Sequence, residues 1–147
     1  MRGRRREGFT LIEVLLVIAI LGVLAAFVVP QFIGAGEGAR KDMAKAAVAR
    51  GGPLATSLNM FRLSMGRYPT TDEGLRALLA RPDDVDEGDD RWRGPYIEDP
   101  KGLIDPWQKN EYQYRSPGEY NEDYDLWSMG PDGEDGTEDD ITNWVRE

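Results

Sequence analysis

The sequence predicts an α+β protein: a long N-terminal helix, membrane-spanning in its first half, ahead of a small antiparallel β-sheet with a C-terminal metal-binding loop. Three observations predict it. From Phe9 to Ile33 the chain is almost unbroken in its apolar character. Apolar residues then recur at helical spacing as far as Met65, and beyond them short aromatic segments alternate between turns rich in Gly, Pro and Asp.

The 147 residues leave room for one modest domain. There is no cysteine, so no disulfide can staple a small core, and a bound metal is one alternative. There is no histidine either, which removes the commonest general base and the commonest transition-metal ligand. Charge is divided sharply, +6 over residues 1–82 and −15 over 83–147. An acidic half of that strength repels phosphates, so no nucleic-acid partner is expected.

The Phe9 to Ile33 run, as a helix, is long enough to cross the roughly 30 Å hydrocarbon core of a bilayer. Arg2, Arg4, Arg5 and Arg6 precede it, opposed by Glu7. The positive-inside rule keeps that end in the cytoplasm and exports the chain beyond Ile33. A secretory signal peptide has a shorter apolar run, usually 7–15 residues, closed by a small-residue cleavage site. An ordinary single-span anchor fits the length but leaves Glu13 unexplained, because a carboxylate at that depth costs several kcal/mol unless paired or neutralised.

Pro30, followed by Gly34, Gly36 and Gly38, predicts a kink or a locally melted stretch. Helical character resumes from about Ala39 to Met65, where Ala47, Leu54, Leu58, Phe61 and Met65 line one face. Gly51-Gly52-Pro53 interrupts that face and leaves open whether the stalk is one helix. Next, Thr70 and Glu73 have capping-box spacing after Pro69, predicting a short amphipathic helix with Leu75, Leu78 and Leu79 as its stripe and Arg81-Pro82 as its end. Tyr112–Tyr114 and Tyr124–Met129 read as strands joined by a turn at Ser116-Pro117-Gly118. Trp107, Trp127 and Trp144 are expected in the core, since so small a domain needs large side chains to build one.

After those strands, Pro131 to Asp140 alternates carboxylates with glycines that permit tight turns. Without Cys or His, a hard cation held by oxygens is the metal chemistry on offer. The EF-hand pattern fails, because counting from Asp132 puts Gly136 at position 5 and Asn143 where a bidentate Glu is required.

Gly8-Phe9-Thr10-Leu11-Ile12-Glu13 resembles the processing signal of type IV prepilins. Arg67-Tyr68-Pro69-Thr70-Thr71 with Gly74-Leu75, then Gly94-Pro95-Tyr96-Ile97, Asp105-Pro106-Trp107, Tyr124 to Gly133 and Asp139 to Trp144 are similar, in that order, to the major pseudopilins of type II secretion systems, the general secretion pathway protein G family. The resemblance runs from Gly8 almost to the end and is weakest at Gly51–Pro53 and Asp83–Asp90. It implies a pilin-like fold, the long helix packed on the small sheet. Residues 1–8 are then a leader removed by prepilin peptidase, 9–33 the transmembrane and filament-core helix, 34–66 the periplasmic half of the long helix and 67–147 the head domain. Cleavage falls between Gly8 and Phe9, leaving an N-methylated Phe9, and Glu13 pairs with the terminal amine of a neighbouring subunit. One calcium ion is held by Asp132 and Asp139 with the main-chain carbonyls of Met129, Pro131 and Ile141.

The implied function is structural. The chain sits once through the bacterial inner membrane, in contact with lipid before assembly, with its C-terminal domain in the periplasm. It polymerises with its own copies into a pseudopilus that drives export of folded proteins across the outer membrane. Minor pseudopilins and an inner-membrane assembly platform are the further partners. A type IV pilus pilin used for adhesion, motility or DNA uptake is the alternative, although many such pilins close their C-terminal region with a disulfide this chain cannot form. A membrane-tethered calcium-dependent enzyme is a third class, and Ser57, Ser64, Ser116 and Ser128 have no histidine to activate them. No catalytic residue is expected.

Overall fold

The computed structural model describes residues 10–145, the side chains of 27–35 excepted. The predicted leader and its junction at Gly8 and Phe9 lie outside the described residues. The chain divides into two units at Gly38 and Ala39.

Helix α1 spans Leu11–Val48. It begins at Thr10, whose backbone N–H and hydroxyl both donate to Glu13 Oε2 at 3.1 Å, while the Glu13 N–H donates back to Thr10 Oγ1 at 3.4 Å. That reciprocal pair is a capping box. The large apolar side chains from Leu11 to Leu24 are all more than half exposed. Among the described residues no helix is long and apolar enough to cross a membrane; the described apolar side chains stop at Ala26, short of the full Phe9 to Ile33 run.

Of the kink or locally melted stretch expected near Pro30, the melting does not occur, since α1 is helical from Leu11 through Val48. A proline inside a long helix removes one donor, and the turns on either side carry the helix on. Segment 34–66, expected as the second half of one long helix, is instead divided at Gly51-Gly52-Pro53. Gly52 is extended (φ −74°, ψ 173°), the conformation that a following proline imposes. It also lies so close under α1 that a Cβ there would stand 2.2 Å from the Ala46 carbonyl oxygen. Pro53 then occupies the first turn of helix α2, Pro53–Met65, where its missing N–H costs nothing. Gly66, at φ 79°, closes α2 by donating to the Arg62 carbonyl at 2.8 Å.

The α2 stripe is the one read from the sequence: Leu54, Leu58, Phe61 and Met65 are buried, with Ala47 of α1 packed at the margin. Phe61 is fully buried and meets Tyr96 edge-on, ring centroids 5.6 Å apart. Phe61→Ala therefore removes a filled site and should lower unfolding free energy by about 3–5 kcal/mol in urea titration. Leu63→Ala, at a position 82% exposed, should change it by no more than about 0.5 kcal/mol.

After Pro69 the capping box forms as predicted, with Thr70 N–H donating to Glu73 Oε2 at 2.5 Å and Glu73 N–H to Thr70 Oγ1 at 3.2 Å. The helix it should start is absent. Gly74 sits at φ 58°, outside the helical region, so only a 3-10 turn at Leu75–Leu78 results. Leu75 and Leu78 still reach the core. Glu73 also grips Arg67 through two bonds of 2.6 and 2.7 Å. Burial raises its carboxyl, but the Arg67 guanidinium and the Thr70 N–H outweigh burial and push it down to about 2.

The sheet is antiparallel, in the order β1 (Gln113–Arg115), β2 (Asp125–Ser128), β3 (Ile141–Thr142). Tyr114 pairs with Leu126, and Ser128 with Ile141. These four face inward, with Tyr112 and Tyr124, onto the core that holds α2 and the end of α1. Helices packed on a small antiparallel sheet thus form the domain. Of the two predicted strands the first is shifted by one residue and the second is shortened at both ends, and β3, only two residues long, carries no periodicity to read.

The expected core placement is corrected for Trp127 and Trp144. Trp107 packs against the core, but Trp127 lies between inward Leu126 and Ser128 and so faces outward. There it meets Trp144 edge-on at 5.7 Å, Trp144 stacks on Tyr120 at 4.6 Å, and the Arg115 guanidinium lies 5.8 Å from the Trp127 ring.

Candidate functional site

The acidic loop runs from Met129, at the end of β2, to Asp140, before β3. Because Ser128 pairs with Ile141, Met129 and Ile141 stand at the neck where the chain leaves and re-enters the sheet. Gly130 lies in that neck at φ 67°, and a Cβ on it would stand 2.5 Å from the Asp139 carbonyl oxygen and 2.9 Å from Asp139 Oδ2. Only glycine combines that torsion with that approach.

Of the nine residues 132–140, six are acidic. The structure brings Asp132 and Asp139 together: the Asp132 N–H donates to Asp139 Oδ2 at 3.2 Å, and Thr137 Oγ1 donates to Asp139 Oδ1. The Thr137 hydroxyl first, and the Asp132 groups after it, hold the Asp139 carboxyl below the usual carboxylate range. Asp139 is thus an anion at neutral pH. Asp132 is oriented by Glu134, whose N–H donates to Asp132 Oδ1 at 2.9 Å. Asp140 Oδ2 takes the Gly136 N–H at 2.9 Å, and Asp135 takes the Trp127 indole N–H at 2.7 Å.

Among the described residues no three of His, Cys, Asp and Glu gather closely enough to hold a metal ion by side chains alone. An ion at this loop would therefore rest on two carboxylates and on carbonyls at the neck. Two carboxylates beside main-chain oxygens are hard-oxygen chemistry, and they suit a cation of calcium's kind.

A second turn backs the loop. Asp105, almost fully buried, accepts from Ser128 Oγ at 3.3 Å and from the Lys109 N–H at 3.4 Å, and Ser128 Oγ in turn accepts from Gly130 N–H at 3.2 Å. The Asn110 amide donates to the Gly133 carbonyl at 3.2 Å. Lys109 Nζ donates to the Pro131 carbonyl at 2.6 Å, with the Asp132 carbonyl at 3.4 Å. The pairings are not legible in the sequence, because Asp105, Lys109 and Asn110 meet these partners only once the register of β2 places them.

The loop before β2 is organised by a further residue that the sequence does not single out. Asp125, fully buried, accepts from the N–H groups of Glu119, Tyr120 and Asn121 and from Arg115 Nη2 at 2.8 Å. Burial raises its carboxyl, yet Arg115 and the three amides together leave it lowered.

At the other end, Glu13 is exposed and engaged with Thr10 in the capping box that opens α1. The spacing Thr10-x-x-Glu13 could have revealed this local role from the sequence. Gly8 and Phe9, the predicted cleavage pair, lie outside the described residues.

Two family matches cover the chain in succession: the prokaryotic N-terminal methylation motif over residues 3–29 and type II secretion system (T2SS), protein G, over residues 31–144. The chain is similar to type II secretion system core protein G of Aeromonas hydrophila, 45% identical over 98% of this chain and 96% of that one. It is likewise similar to the core protein G of Pseudomonas aeruginosa, 41% identical over 98% and 99%, and of Vibrio cholerae, 42% over 96% and 93%. The crystal structure of the major pseudopilin from the type 2 secretion system of enterohaemorrhagic Escherichia coli superposes with a TM-score of 0.60 at 39% identity, covering 76% of this chain and 88% of that one.

Proposed function

Since this chain belongs to the type II secretion system protein G family, whose members are structural pseudopilins, we propose that it is the major subunit of a pseudopilus, held in the inner membrane until it polymerises through its N-terminal helix. The single observation that carries the reading is the succession of the two family matches, a methylation motif running directly into a protein G domain. The exposed apolar side chains of Leu11 to Leu24 support it, because so large an apolar surface needs lipid or other copies of itself to cover it.

In this reading the chain is trimmed between Gly8 and Phe9 and then leaves lipid for the filament. Lipid disfavours the charge of Glu13, and a neighbour's terminal amine neutralises it, so the pairing sets the axial register of the subunits. Minor pseudopilins and the inner-membrane platform are its partners, and the head domain is periplasmic. The loop is held by calcium through Asp132 and Asp139 with the carbonyls of Met129, Pro131 and Ile141. When bound, the ion supplies the cross-link between loop and neck that a cysteine-free chain lacks.

Mass spectrometry of the membrane-extracted protein, from cells with an active prepilin peptidase, tests the reading. The expected species lacks residues 1–8 and carries one added methyl group on Phe9. An intact Met1 start in such cells would contradict the proposed maturation.

A further inference from the structure

The carbonyl of Pro131 already holds a cation. Lys109 Nζ approaches it at 2.6 Å, a short charge-assisted bond, and extends to the Asp132 carbonyl at 3.4 Å. We propose that Lys109 is a built-in competitor of calcium: its ammonium caps the Pro131 carbonyl in the ion-free loop, is displaced as the ion enters, and so sets how tightly the loop binds. The proposal rests on the calcium reading of this loop.

The geometry supports displacement. Calcium binds oxygens at 2.3–2.6 Å, so an ion and an ammonium sharing one carbonyl oxygen would lie within about 5 Å of each other, where like charges repel. The lysine can yield without disturbing its surroundings. Its side chain is exposed and flexible, while its backbone is fixed separately through the Lys109 N–H on Asp105 and the Asn110 amide on Gly133. The same contacts explain why the ammonium is there at all. Asp105 joins the Lys109 turn to Ser128, and Ser128 to Gly130 at the neck, so the lysine is delivered to the loop by the fold. Gly133, at φ 76°, brings its Cα side within 3.3 Å of the Lys109 Cδ, measured from the Cβ it lacks. A side chain there would obstruct the lysine.

The test is a calcium titration by calorimetry of the full chain in detergent micelles, wild type beside Lys109→Met, which keeps length and apolar stem but removes the charge. Binding should tighten about tenfold in the variant. In parallel, wild-type lysines are acetylated in chelator and in saturating calcium and quantified by mass spectrometry, with exposed Lys101 as reference. Lys109 should react slowly without calcium and become several-fold more reactive with it. The labelling does not depend on the variant folding. Unchanged or weaker binding by Lys109→Met, or Lys109 reactivity indifferent to calcium while calorimetry shows the ion bound, overturns the competition and leaves the site standing. If neither protein binds calcium, the site reading itself falls, and the competition with it.

Discussion

Chelating calcium should lower the melting temperature of the C-terminal unit by roughly 10–20 °C, and restoring the ion should recover it. A ligand that binds only the folded state stabilises it by roughly 2.7 kcal/mol at a hundredfold excess over Kd, and for a domain of about 100 residues that corresponds to a shift of this size. A fragment beginning at Ala39 serves for the measurement, because the core, from Ala44 to Ile141, lies wholly within that unit. Magnesium should restore much less, since it gives up its waters reluctantly. Asp132→Ala and Asp139→Ala should each abolish the response. Glu134→Ala should retain it, because Glu134 serves the loop through its backbone, donating to Asp132 Oδ1 and accepting from Thr137 Oγ1. Identical melting of the wild type in chelator and in millimolar calcium would mean that the loop is an acidic turn and nothing more.

The parts legible in the sequence are those carried by periodicity or by local chemistry. The α2 stripe is set by the 3.6-residue period and the hairpin strands by alternation; the three helix-hostile residues Gly51–Pro53 raise the question of a break, which only the extended Gly52 decides. Pro30 does not melt the helix, because one missing donor leaves the turns on either side intact. The capping box at Thr70 is plain in its spacing, yet the helix behind it fails at Gly74, whose positive φ no spacing reveals. Trp127 misleads because large size alone suggests burial, whereas β2 alternates and Leu126 takes the inner face. The site is half legible. The acidic loop shows in composition, and the resemblance points to Asp132 and Asp139. Asp105, Lys109 and Asp125 become meaningful only once the strands are in register, since what matters for each is its partner.

The second large effect concerns Glu13. Removing its carboxylate should leave insertion intact, because a neutral side chain is cheaper in lipid, but should stop assembly. An amine left without its counter-charge in apolar surroundings costs about 3–5 kcal/mol, so filament yield should fall by roughly a hundredfold or more. The capping box adds a complication that a second variant resolves. Glu13→Ala loses both the charge and the bonds with Thr10, whereas Glu13→Gln keeps a side chain able to cap the helix and loses only the charge. Both should fail if pairing is the cause. The most direct measurement is the amount of this chain recovered in filaments sheared from cells that overproduce the secretion system, compared at equal membrane levels for wild type, Glu13→Ala and Glu13→Gln. A wild-type filament built mainly of this chain, starting at Phe9, with both variants nearly absent from the sheared fraction, is the predicted result; equal recovery of all three, or filaments lacking this chain, would contradict it.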